Sequence, residues 1–239
     1  MLLRLFLGCV AAAFSLSVWA SDSLLIAAGA GYRKPVLELL QAFTSATGFK
    51  AEASFGNMKQ VEVQAKQNTD IQLLIGDRAF LEPMQLSQRF EHLGTGRLVL
   101  ATAKAHPLSS ITELGQARFQ RIAVPDRSKA VYGKAAFSCL QQQGLMQAVG
   151  SKLMEVATVP QVSAYLVTGE VDAGFINATE AQALKDKVGA SIAIDPACHD
   201  PIELSLAVLE GRDRSPAAQA FIAFITTPQA RQVMQRHGL

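Results

Sequence analysis

The sequence predicts an α/β fold of two lobes with mostly parallel sheets. Three observations carry this. Apolar runs end repeatedly in glycine or a short polar turn, and several are followed by amphipathic helices. Two of the apolar runs are long and lie far apart, near residues 98–103 and 202–210, as strands crossing between two units would. Hydrophobic residues make up 49% of the chain and charged residues 18%, enough to bury a large core.

The chain opens on an address. Residues 1–20 carry Arg4, then an apolar run, and close on Trp19-Ala20 before Ser21. This reads as a cleavable secretory signal, too short for a convincing membrane span, with the mature protein starting at Ser21. Its removal takes the net charge from +2 to +1, too weak to point to nucleic acid or a membrane surface. Of three cysteines, Cys9 leaves with the signal. Cys139 and Cys198 remain, either as a disulfide suited to an oxidising compartment or as two separate buried thiols.

The elements follow in order. "LLIAAGA" (24–30) is an apolar run ending in glycine, as a strand covered on both faces would be. Pro35 suits the first turn of a helix, Val36, Leu39, Leu40 and Phe43 form one helical face, and Gly48 ends it. "KAEASF" (50–55) is a second strand, and a helix from near Met58 to Lys66 follows it. "IQLLIGD" (71–77) is a third, "GRLVLATA" (96–103) a longer fourth, and "RIAVP" (121–125) leads to a helix from about Val131. "VDAGFIN" (171–177) and "IELSLAVLEG" (202–211) are strands, and residues 216–225 form a last helix. With crossings at the two long strands, residues 21–99 and 206–239 make lobe 1 and residues 100–205 make lobe 2.

In such sheets ligands bind beyond the carboxyl ends of the strands. The turns at residues 29–34, 56–59, 126–130 and 177–179 occupy that place. Gly29 and Gly31 suit close approach of backbone to an anion at a helix start. No G-x-S-x-G, H-E-x-x-H or P-loop is present, and Gly29-x-Gly31 lacks the third glycine of a dinucleotide site. His92, His106, His199 and His237 show no paired ligand spacing. Cys198-His199 is a weak alternative for a thiol-dependent enzyme; no catalytic residue and no direct cation ligand is assigned.

The stretches "IAAGAGYRKPVLELLQAF", "ASFGNMKQVEVQAKQ", "LLIGD", "AVPDRSKAVYGKAAF", "VPQVSAYLVTGEVDAGFINATEAQA" and "FIAFITTPQARQVMQRHGL" together resemble the periplasmic molybdate-binding proteins of ABC importers. The resemblance implies the type II periplasmic-binding fold, two lobes closing on a tetrahedral oxyanion held by hydroxyl and N–H groups. It also implies a monomer in the periplasm that hands its ligand to a membrane permease, with no cofactor and no nucleic acid. Position by position, the family's serines fall near Gly31 and Asn57, its backbone donors at Ala130 and Val162, and its tyrosine at Asn177. The implied ligand-binding set is therefore Gly31, Asn57, Met58, Ala130, Val162 and Asn177. Tyr32, Arg33, Lys59 and Arg127 are further candidates, and inward-pointing bases would favour an organic carboxylate or phosphate instead.

Overall fold

The computed structural model describes residues 23–239 apart from residue 105. The secretory signal read in residues 1–20, and the start at Ser21, lie outside the described residues. Two five-stranded sheets organise the chain. The first is built from β1 (Ser23–Gly29), β2 (Lys50–Gly56), β3 (Ile71–Asp77) and β4 (Arg89–Gly96), and the second from β5 (Leu98–Thr102), β6 (Ile122–Pro125), β7 (Leu153–Val156), β8 (Ala173–Asn177) and β9 (Ser191–Ala193). The chain then returns to the first sheet as β10 (Ile202–Val208). The strand orders are β2-β1-β3-β10-β4 and β7-β6-β8-β5-β9. This is the two-lobed type II fold that the sequence suggested.

The sheets are mixed rather than mostly parallel. β1 runs parallel to β2 and β3, and β6 to β7 and β8. β10 is antiparallel to both its neighbours, as β5 is to β8 and β9. The physical reason is direction of entry: a strand arriving from the other sheet comes in at the end where the parallel strands finish. β10 and β5 also lie wholly in one sheet each. The crossings are therefore the short segments at Arg97 and residues 199–201, a few residues ahead of the boundaries drawn from the long apolar runs.

Helices cover the sheet faces: α1 (Arg33–Thr47), α2 (Met58–Gln67), α3 (Arg78–Leu81), α4 (Val131–Gln142), α5 (Met146–Val149), α6 (Val159–Thr168), α7 (Ala178–Leu184), α8 (Pro216–Phe224) and α9 (Pro228–Arg236). α1 buries Val36, Leu39, Leu40 and Phe43, the face its spacing predicts, and stops at Gly48, which takes the left-handed φ of 78°. Phe43 meets Phe221 of α8 edge to face, 5.1 Å between ring centres. Several elements escaped the sequence reading: β4, β7, β9, α3, α5, α6, α7 and α9. β4 flanks β10 and is half exposed, so its apolar pattern is diluted. α9 was missed although its signals are present: Thr227 caps it, Pro228 starts it, and Ala230, Val233 and Met234 share a buried face.

Cys139 and Cys198 form a disulfide, with 4.7 Å between their Cα atoms. It ties α4 to the 3-10 turn at Pro196–Cys198, just before the chain crosses back. Cys198 therefore has no free thiol to pair with His199, which removes the thiol-dependent alternative. The bond closes a loop 59 residues apart in sequence. A loop of that length restricts the unfolded chain by about 4 kcal/mol in the chain-entropy account. Replacing both cysteines by alanine should lower unfolding free energy by about 2–4 kcal/mol in urea denaturation; an unchanged midpoint would contradict a structural role.

Candidate ligand-binding cleft

Four strand-to-helix turns from the two sheets meet around one cavity of about 30 Å³. From the first sheet come residues 29–32, between β1 and α1, and residues 56–58, between β2 and α2. From the second come residues 130–132, at the start of α4, and residues 158–159, at the start of α6. Each turn presents a helix N-terminus, where the first N–H groups have no intrahelical acceptor. Aligned peptide dipoles give each such end roughly half a positive charge. The cavity is thus electropositive without a cationic side chain.

Two tyrosines add hydroxyls. Tyr32 and Tyr132, one from each half, place their hydroxyl oxygens 3.1 Å apart across the cleft. Burial, before any neighbouring charge, pushes both phenols up from their ordinary value, so both stay neutral; one O–H is spent on the other tyrosine's oxygen, and the second hydroxyl keeps its proton to donate. Tyr32, left open by the sequence as cleft wall or packing residue, lines the cleft. Asn57 caps α2: its Oδ1 accepts from Gln60 N–H at 2.9 Å, and its own N–H donates to Gln60 Oε1 at 2.9 Å. That leaves Asn57 Nδ2 without a protein acceptor among the described residues. Thr158 precedes α6 with its hydroxyl unused for capping.

Gly31, Asn57, Met58 and Ala130 of the expected set line the cavity; Val162 and Asn177 do not. Val162 lies one turn inside α6. Its N–H already donates to Thr158 O, and its side chain packs where a Cβ on Gly174 would stand. Ala130 also spends its N–H, on Asp126 O at 2.9 Å. The free donors are shifted along the chain, to Val131 and Tyr132 in α4 and to Val159 in α6, because only the first turn of a helix lacks acceptors. Met58 N–H donates across the cleft to Lys129 O at 2.9 Å. Asn177 bridges the halves instead: Nδ2 donates to Gly31 O at 2.8 Å.

The bases point elsewhere. Arg33 lies over the Phe55 ring, Lys59 pairs with Glu62, and Arg127 pairs with Glu155 while stacking on Phe137. Lys34, Arg78 and Lys129 are paired with Glu180, Glu82 and Asp126. Among the described residues no charged side chain lines the cavity. Sequence reasoning missed Val131, Tyr132, Thr158 and Val159. The available signal was a hydroxyl or small residue directly after a strand-ending turn.

A two-lobed α/β molecule with one small cavity between strand-to-helix turns has the architecture of a solute-binding protein. The family model described as bacterial extracellular solute-binding protein matches residues 24–239, and the chain belongs to that family. Among curated proteins it is similar to the molybdate-binding protein ModA of Azotobacter vinelandii, 26% identical over 89% of this chain and 88% of that protein. It is also similar to ModA of Rhodobacter capsulatus, 23% identical over 92% and 88%. The fold superimposes on the periplasmic molybdate-binding protein of Azotobacter vinelandii with a TM-score of 0.82 at 19% identity, covering 90% of this chain and 97% of that one. L-phospholactate-bound PEB3 (0.71; 17%; 90% and 98%) and the sulfate-binding protein SubI of Mycobacterium tuberculosis (0.72; 16%; 90% and 85%) share the fold.

Gly31 has no positive φ, so its glycine serves close approach: a Cβ there would stand 3.1 Å from Asn177 Nδ2 and 3.5 Å from Val159 Cβ. Gly31→Val should wedge the halves apart at a cost of about 1–3 kcal/mol. Small-angle scattering should give a larger radius of gyration with the melting temperature nearly unchanged; an unchanged radius would refute the close-approach role.

Asp77, 3% exposed at the end of β3, caps α3 through Ala79 N–H and lines a neighbouring cavity with Lys134 and His199. Burial raises its pKa from 3.8 to about 6. Between those values the folded protein holds a proton that the unfolded chain has lost, so stability falls as pH rises from about 4 through about 6. The whole loss is of order 3 kcal/mol. Asp77→Asn keeps the capping acceptor and should be more stable than wild type at pH 8 but not at pH 4. Parallel urea curves at both pH values would contradict this.

Proposed function

We propose that the protein captures a fully ionised tetrahedral oxyanion, molybdate or tungstate, in the periplasm and delivers it to the membrane permease of an ABC importer. The observation that carries this is the cavity itself: helix N-termini and neutral hydroxyls from both halves, with no charged side chain among them. A dianion offers only acceptors, and this lining offers N–H and O–H donors, each charge-assisted once the anion is present. Water is excluded by closure, which strengthens those bonds. The names of the ModA relatives support the reading.

The same lining selects against protonated anions. Hydrogenphosphate carries a proton that needs an acceptor, and among the described residues no carboxylate lines the cavity. A larger organic anion, such as the phospholactate of PEB3, would need more room and a cation. The cavity of about 30 Å³ and the outward-facing arginines weigh against it.

A thermal-shift screen of molybdate, tungstate, sulfate, hydrogenphosphate and phospholactate tests the reading. An anion at about 100 times its dissociation constant stabilises by about 2.7 kcal/mol, and molybdate or tungstate should give the largest shift. In titration calorimetry Tyr132→Phe and Tyr32→Phe should each cost about 1.5–3 kcal/mol of affinity. Arg33→Ala and Arg127→Ala should cost less than about 1 kcal/mol, as exposed charges. An arginine change that outweighed the tyrosine changes, or a larger shift with phospholactate, would overturn the proposal.

A further inference from the structure

Outside the cavity, three contacts between the halves come from one short stretch, the N-cap and first turn of α7. Asn177 Nδ2 donates to Gly31 O at 2.8 Å. Thr179 Oγ1 donates to His237 O at 3.0 Å. Glu180 Oε1 accepts from Lys34 Nζ at 2.9 Å. All three residues are more than nine-tenths buried. Their partners belong to three different segments of the half built on the first sheet: the turn after β1, the tail after α9, and the first turn of α1. Asn177 is held in orientation by its own helix, because its Oδ1 accepts from Glu180 N–H at 2.9 Å. The oxygen caps α7 while the nitrogen reaches across.

The tail is anchored in turn. His237 Nε2 lies 2.7 Å from Glu38 Oε2 of α1, and Gly238 O accepts from Arg97 Nη2 at 3.0 Å, at the first crossing. Leu239 packs where a Cβ on Gly94 would stand. One helical turn is therefore bonded at once to a cavity-lining turn and to a tail fixed beside the hinge.

We propose that the first turn of α7 is a latch that biases the two halves toward closure, with Thr179 and Glu180 as positioning residues that act without touching the solute. Separation of the halves breaks all three contacts together and lets water reach the Glu180 carboxylate. With Lys34 removed, closure would bury that charge unpaired, so the latch works against closure instead of for it. The inference holds whichever solute the cavity takes.

The test needs no solute. Spin labels at Ser45→Cys and Gln143→Cys, both exposed and one in each half, report the distance between halves in a protein that starts at Ser21; Cys139 and Cys198 are bonded and do not label. Pulsed electron paramagnetic resonance on wild type should show a short-distance population. Thr179→Val and Lys34→Ala should each lower the closed-to-open ratio by about two- to ten-fold. Thr179→Ser and Lys34→Arg, which keep the hydroxyl and the charge, should restore it. Distributions that coincide with wild type, or Thr179→Ser behaving like Thr179→Val, would overturn the latch. Added molybdate should dissociate faster from Thr179→Val, with association unchanged. Failure of molybdate to bind wild type would count against the oxyanion proposal and leave the label measurement standing.

Discussion

Four helix N-termini are brought to one point between two sheets, and the remainder of the site follows from that constraint. Each end carries roughly half a positive charge with N–H groups that have no helical acceptor. Closing the halves around an empty cavity would bury the free donors at Val131, Tyr132 and Val159 unsatisfied, which is costly. Closing them around an anion satisfies the donors and the charge together. A ligand that interacts with both halves only when they are closed shifts the equilibrium by that difference and by nothing else. The two mixed sheets make this arrangement possible, because the parallel trios β2-β1-β3 and β7-β6-β8 supply the four turns while the antiparallel entrants β10 and β5 carry the crossings.

The chemistry of the lining follows from the same constraint. Helix ends already supply positive potential, so an arginine or lysine in the cavity is not needed, and the nearby bases are bound to carboxylates or aromatic rings outside it. Tyr32 and Tyr132 add donors that remain protonated because they are buried. On the proposed reading, selection among anions rests on which of them brings only acceptors. On the same proposal the α7 contacts lower the cost of closure without entering the cavity, which divides affinity between residues that meet the solute and residues that never do.

Much of the fold was legible in the sequence because its signals are local. The Val36–Phe43 face, the glycine after it, and the apolar runs of β1, β3 and β10 announce a covered sheet with helices packed on it. The half-exposed β4 was not legible, since its apolar residues are too few to set a period. The pairing direction of β10 was not legible either, because entry from the other sheet is a property of topology. In the site, the turns at 29–34, 56–59 and 126–130 were found from their place after strands. The exact donors were not. Ala130 and Val162 differ from Val131 and Val159 by one and three residues, and only the helix starts in space decide which N–H is free. Asn177 entered the ligand set through the resemblance, at the family's tyrosine position; the closure of one half on the other makes it a bridge to Gly31.

The central claim is that an oxyanion is held in this cavity by neutral donors alone. A crystal structure of the protein soaked or grown with molybdate tests it most directly. The account predicts the anion between residues 29–32, 57–58, 130–132 and 158–159, within hydrogen-bond distance only of N–H and hydroxyl groups. An arginine or lysine nitrogen in contact with the anion, or an anion bound elsewhere with this cavity empty, would contradict it.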